Sequence, residues 1–157
     1  MSAPARPPIR LAAAADAEDV GRLLHDFNTE FDEPTPGGAW LAERVRQLIA
    51  EGDTEVLLCG SGPDGLALLR FRPSLWSAAR ECYLAELYVA PALRGRGLGR
   101  ALMDSVLELA RERGADYIDL GTAETDTAAR SLYESLGFSN REGRPDGPVN
   151  YYYERRP

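Results

Sequence analysis

Between residues 89 and 100 the chain reads Val89-Ala90-Pro91-Ala92-Leu93-Arg94-Gly95-Arg96-Gly97-Leu98-Gly99-Arg100. Gly95, Gly97 and Gly99 let the backbone turn with its N–H groups unobstructed. The stripe Leu98, Leu102, Val106, Leu109 and Ala110 predicts a helix that starts inside this loop and runs to about Arg113. A glycine loop opening a helix binds an anion through main-chain N–H groups and the positive end of the helix dipole, which makes it a phosphate cradle. The loop lacks the Lys-Ser/Thr ending of a P-loop, and no acidic residue follows at dinucleotide-fold spacing, so neither nucleotide fold fits. Read alone, the same glycines also suit a helix start that binds nothing.

The elements around the loop are legible in the periodicity. Ile9-Arg10-Leu11 is a short strand, and Asp16 stands at the N-cap of a helix over Ala17–Asn28 carried by Val20, Leu23, Leu24 and Phe27. The Pro/Gly run 33–38 ends that helix, and Leu41, Val45, Leu48 and Ile49 predict a second one closing near Gly52, so the turn between them borders a pocket. Glu55–Cys59 and Leu66–Phe71 read as an antiparallel hairpin turning at Ser61–Gly65. Cys82–Val89 is too apolar for one solvated face, which makes it a central strand leading into the loop. Tyr117–Thr122 follows the loop's helix and is expected parallel to that strand through a right-handed crossover. Ala129, Leu132, Tyr133 and Leu136 give a last short helix closing at Gly137, and a final hairpin is expected from Phe138 to the arm Val149–Glu154.

The 157 residues suit a single domain over 9–157 behind a frayed, Pro-rich leader over residues 1–8. Net charge is −7, with 25 acidic residues against 18 basic ones, all of the latter arginine, which disfavours nucleic acid and anionic membrane as partners. No stretch approaches about 18 apolar residues, so a cytoplasmic location is expected. Cys59, Cys82 and His25 cannot make a four-ligand zinc site, and no metal is expected.

The order strand, Arg-x-x-Gly-x-Gly loop, helix, parallel strand, then a helix carrying Leu132-Tyr133-Glu134-Ser135-Leu136-Gly137-Phe138, resembles the GNAT N-acetyltransferases over nearly the whole span Ile9–Glu154. Arg94, Gly97 and Gly99 fall on that family's acetyl-CoA pyrophosphate motif. The resemblance implies an α/β fold of the α+β kind: strand, two helices, three strands, helix, strand, helix and two closing strands in one mixed sheet. Its parallel fourth and fifth strands splay to admit the pantetheine arm. It also implies acetyl-CoA as cosubstrate, held by Leu87, Tyr88 and Val89 at the strand end, by Arg94, Gly95, Arg96, Gly97, Leu98, Gly99 and Arg100 in the loop, and by Asp126. At Asp126 the family often carries Asn, and a carboxylate accepts where an amide also donates.

An aliphatic amine with a pKa near ~10 is about one part in a thousand neutral at pH 7, so a base or a water relay must remove a proton before it attacks a thioester. Glu86 is the candidate base. Members acting on spermidine, spermine and thialysine carry an acidic pair here, whereas Ala85 precedes Glu86 in this chain. A backbone N–H freed by a bulge near Leu87 is the candidate oxyanion donor. Tyr133 resembles the family's general acid toward the departing thiolate. Structural readings stand beside these: Glu86 as a strand-edge anchor and Tyr133 as a packed amphipathic ring. Cys82 reads as a buried thiol rather than an acyl acceptor, His25 as a packing residue, and Trp76 and Phe71 as core or pocket wall. Asp26, Glu30, Asp32 and Glu33 form an acidic cluster that attracts a cationic amine or simply meets water.

The expected activity is therefore direct acetyl transfer from acetyl-CoA to a primary amine of a small cationic molecule. A protein N-terminal or lysine acetyltransferase is the alternative of the same class, and a noncatalytic acyl-CoA sensor that of another. Tyr151, Tyr152 and Tyr153 alternate faces on the last arm, so one face needs cover, and a homodimer is expected.

Overall fold

A computed structural model describes residues 7–157; Met1–Arg6, most of the expected leader, lie outside the described residues. Pro8 is tied down, its carbonyl accepting from Gly60 N–H at 3.2 Å. The chain divides into two compact units at Leu120.

The first unit carries β1 (Ile9–Leu11), α1 (Ala17–Glu30), α2 (Gly38–Glu51), β2 (Thr54–Cys59), β3 (Gly65–Pro73), β4 (Arg80–Val89), α3 (Leu98–Glu112) and β5 (Ala115–Leu120). The sheet order is β1-β2-β3-β4-β5, antiparallel except for the parallel pair β4–β5. Both faces of β2 and β3 are buried along most of their length, as their near-continuous apolar sequences require, while β1 and β5 are partly exposed. Val56, Leu58, Leu66, Leu68 and Tyr88 pack with Val20 and Leu23 of α1 and Val45 of α2. The alternate residues Leu57, Cys59, Ala67 and Leu69 are buried too, and α3 brings Leu102, Met103 and Val106 to the strands.

Asp16 occupies the N-cap of α1 without capping it. Its carboxylate accepts from Ala13 N–H at 2.8 Å and from the Arg10 guanidinium at 2.8 and 2.9 Å. Arg10 and that N–H together pull the Asp16 carboxyl down to about 2.

The second unit holds α4 (Thr127–Ser135). The helix ends in a Schellman turn: Gly137, at φ +89°, donates to Glu134 O at 3.1 Å, and Phe138 N–H donates to Tyr133 O at 3.0 Å. Only glycine adopts that φ freely, and the Phe138 ring folds back edge-on to Tyr133 at 6.0 Å. The Leu-Tyr-Glu-x-Leu-Gly-Phe sequence is the chemical description of this turn.

The expected closing hairpin is corrected. Its turn exists, with Asn150 N–H donating to Asn140 O at 2.8 Å and the Arg141 guanidinium to Gly147 O at 3.0 Å, but its arms form no ladder and no sixth or seventh strand is present among the described residues. Pro145 and Pro148 remove two N–H donors from a segment that also contains Gly143 and Gly147. Tyr151, Tyr152 and Tyr153 are all exposed.

Candidate active site

The glycine loop has the geometry its sequence predicts. A short 3₁₀ turn over Pro91–Leu93 delivers the chain to Gly95 and Gly97, both left-handed at φ +78° and +79°. Gly97 is the N-cap of α3, and its carbonyl accepts from Ala101 N–H at 3.0 Å. The N–H groups of Gly95, Arg96 and Gly97 donate to nothing among the described residues, and those of Leu98 and Gly99 belong to the first helical turn, which has no intrahelical acceptor. A Cβ built on Gly95 or Gly97 meets nothing within 4 Å, so no other part of the described chain crowds the loop at these glycines. Unpaired N–H groups at a helix start, in an uncrowded glycine loop, fit the pyrophosphate of an acyl-CoA. Arg96 is exposed and makes no ion pair among the described residues.

β4, which feeds the loop, is irregular. Leu68 of β3 pairs with Glu86 but the next residue, Leu69, pairs with Leu84, so Ala85 is an extra residue bulged out of the ladder. The expected bulge is present, two residues before Leu87. Pairing with β5 also stops at Leu84–Leu120, leaving the β5-facing edge of Ala85–Val89 without a ladder partner. This is the parting of the parallel strands that the resemblance implies. It leaves the β5-facing main-chain edge of Leu87–Val89 without a ladder partner, the Val89 carbonyl being taken by Arg94 Nε.

Glu86 stands opposite Leu68, and Tyr88 opposite Leu66, which sets both side chains on the face that carries α1 and α2. Glu86 is half-buried, and its carboxylate has no hydrogen bond or ion pair among the described residues. Burial alone pushes its pKa above the ordinary glutamate value. A half-buried carboxylate with no partner among the described residues and a raised pKa is a candidate for accepting a proton.

Arg94 is fully engaged. Its Nη1 and Nη2 donate to Glu30 Oε2 and Oε1 at 2.7 and 2.9 Å, its Nε donates to Val89 O at 3.0 Å, and the guanidinium lies 5.7 Å from the Tyr88 ring centroid. The Tyr88 hydroxyl donates to Glu30 Oε1 at 3.3 Å, and the Tyr88 ring packs edge-on against Phe27 at 4.9 Å. Sequence does not separate Glu30 from the other members of its acidic cluster, since Arg94 stands 64 positions further along the chain.

In the second unit, Asp126 is the N-cap of α4 and accepts from Ala129 N–H at 3.0 Å through Oδ1. Tyr133 is buried, and burial together with the Asp126 charge pushes its pKa up to about 12. Its hydroxyl is thus fully protonated at neutral pH.

The other sequence candidates find structural places. His25 Nδ1 lies 3.0 Å from Thr35 Oγ1, tying α1 to the loop before α2. Cys82 is buried and its thiol is pushed up to about 11, chiefly by desolvation, which leaves almost no thiolate for acyl transfer at neutral pH. Phe71 is core, beneath Arg80 at 4.7 Å, whereas Trp76 lines a groove of about 490 Å³ with Glu81 and Tyr117, at the other end of β4 from Glu86. Among the described residues no helix is long and apolar enough to cross a membrane.

The sequence profile of the acetyltransferase (GNAT) family matches residues 18–138, from α1 through the α4 turn. The chain belongs to the GNAT family. A crystal structure of a candidate acetyltransferase from Arthrobacter sp. FB24 superposes with a TM-score of 0.88 at 43% identity, covering 99% of each chain. Among curated GNAT relatives, thialysine N-epsilon-acetyltransferase of Bos taurus is 34% identical over 142 residues, 82% of each chain. Mycothiol acetyltransferase of Thermobispora bispora is 37% identical over 133 residues, 81% of this chain and 39% of that protein. The chain spans less than half the length of the mycothiol acetyltransferases it matches. The matched span takes in the sequence of the loop, of β4 and of the Tyr133 helix.

Proposed function

We propose that the protein is an acetyl-CoA-dependent N-acetyltransferase acting on a primary amine of a small cationic molecule. The observation that carries this reading is the unpaired, half-buried Glu86 carboxylate one residue beyond a β-bulge, on the strand that runs into an open cradle of N–H donors. Acetyl-CoA supplies the activated acetyl group: its C–S bond breaks as the acceptor's C–N bond forms.

The chain's own groups do the rest. N–H groups of Gly95–Gly99 hold pyrophosphate, with Arg96 and Arg100 adding charge, and the free edge of Leu87–Val89 orients the acyl arm. Asp126 fixes the start of the Tyr133 helix. Glu86, directly or through water, takes the amine proton, whose acidity rises steeply once the nitrogen begins to bond to carbon.

Tyr133 donates to the departing sulfur. With its pKa pushed up to about 12 and a thiol near ~8.5, full proton transfer is uphill, so its contribution is a hydrogen bond to developing thiolate charge. Tyr133→Phe keeps the ring against Phe138 and removes a hydroxyl that donates to nothing among the described residues. Acetyl-CoA affinity and melting temperature are expected to stay unchanged while kcat falls ~10²-fold. A kcat equal to wild type would remove Tyr133 from the reaction.

The cationic preference is supported by Asp26, Asp32 and Glu33 at the end of α1 and the turn after it, and by the thialysine N-epsilon-acetyltransferases among the relatives. Thiol release from acetyl-CoA, followed across thialysine, polyamines, aminoglycosides, neutral amino acids and peptide N-termini, tests the assignment. Polyamine-like and thialysine-like acceptors are expected to exceed neutral ones in kcat/KM by at least ~10-fold, the scale of one charge-assisted contact. Preferred turnover of peptide N-termini would make this a protein acetyltransferase.

A further inference from the structure

Glu30 is the last residue of α1, where the helix dipole disfavours a carboxylate. Something must compensate, and the compensation is Arg94. Both Glu30 oxygens accept from one planar guanidinium, a fork-to-fork geometry that fixes the angle as well as the distance of the arginine. The third donor, Nε, closes back on Val89 O, so the side chain of Arg94 spans the chain segment from the end of β4 to the first loop glycine. Tyr88 adds its hydroxyl to the same carboxylate and its ring to the same guanidinium. Arg94 holds the Glu30 carboxyl below the usual glutamate range. Three acceptor atoms and an aromatic face thus claim the arginine that sequence reasoning assigns to phosphate.

We infer that Glu30 is a positioning residue of the cofactor site: through Arg94 it braces the glycine loop against α1 and β4, while phosphate is held by the loop's N–H groups and not by the Arg94 side chain. This rests on the acetyl-CoA reading above. The brace acts on loop geometry. Freed of Glu30, Arg94 no longer sets where Gly95 begins, and the row of N–H donors loses its common aim.

The sign of one substitution separates this role from its rival. Glu30→Gln deletes a negative charge beside an anion site, so simple Coulomb attraction makes acetyl-CoA bind more tightly, and the same holds if Glu30 merely competes with phosphate for Arg94. The brace makes it bind more weakly. Titration calorimetry with acetyl-CoA on the full chain is expected to show Glu30→Gln and Arg94→Met each weakening binding about 10-fold, with the double variant no weaker than either single one. The KM for acetyl-CoA should rise in step while kcat stays at the wild-type value. Glu30→Asp, which keeps the charge but withdraws the carboxylate by one methylene, is expected to behave like Glu30→Gln, and it serves in place of that variant should Gln at this position prevent folding.

Wild-type or tighter binding by Glu30→Gln and Glu30→Asp, beside weaker binding by Arg94→Met, would overturn the inference and return Arg94 to the phosphate. Additive losses in the double variant would overturn it as well. Absence of acetyl-CoA binding by the wild-type chain is a separate result that rejects the acetyl-CoA reading itself.

Discussion

Gly97→Val is expected to lower acetyl-CoA affinity by at least ~10²-fold in titration calorimetry, the largest effect of any single substitution in the loop. Two causes act together. Gly97 sits at φ +79°, and a β-branched residue held there costs about 1–3 kcal/mol of strain, which the loop relieves by turning its N–H groups away. The new methyl groups also fill the open space beside Gly97, next to the N–H groups proposed to hold phosphate. Melting temperature should fall by a few degrees at most, since nothing within 4 Å is displaced and a ~1 kcal/mol change moves a chain of this size by about 2–4 °C. A folded Gly97→Val chain that binds acetyl-CoA as the wild type does would show that phosphate lies elsewhere.

What the sequence makes legible follows from the range of the interactions. Local rules found the loop, because glycine φ and helix starts are properties of neighbouring residues. They also found the α4 turn, where Gly137 and Phe138 are chemically necessary to a Schellman motif ending on Tyr133. Strand periodicity placed β4 and its parallel partner, although β5 runs Ala115–Leu120 where Tyr117–Thr122 was expected. The Arg80–Ala115 pairing and the Gly114 carbonyl, which accepts from Arg80 N–H at 3.1 Å, start the strand two residues early.

The bulge was expected near Leu87 and lies at Ala85, since its position depends on how β3 registers against β4. The brace was invisible. Glu30 looks like one more exposed acid on the end of a helix, and only the fold brings it to Arg94 across 64 residues. Asp126 shows the converse: its position was singled out for the cofactor, and its local duty as an N-cap is what the geometry displays. The closing hairpin failed for a related reason, because its tyrosine pattern is that of a strand but a strand needs a partner ladder to form.

The central claim is that Glu86 is the base, and its pH signature is the most direct measurement of it. In the wild type, burial raises the Glu86 pKa, so kcat/KM for an amine acceptor should lose its acidic limb above the ordinary carboxylate range of about 4.3. Glu86→Gln leaves only acceptor that is already neutral, so log kcat/KM should climb with unit slope toward the amine pKa near ~10. At pH 7 the loss should be ~10²–10³-fold, shrinking toward nothing at pH 10.

Folding stability should move the other way. A carboxyl whose folded pKa is raised favours the folded state at low pH, and that contribution is lost as pH rises through the folded pKa. Near pH 8 the permanently neutral glutamine should therefore melt above wild type. A Glu86→Gln enzyme that binds acetyl-CoA normally and shows this steep recovery with pH is the predicted result. One that retains the wild-type pH profile and rate contradicts the account, and leaves Glu86 as a buried strand carboxylate with no part in the chemistry.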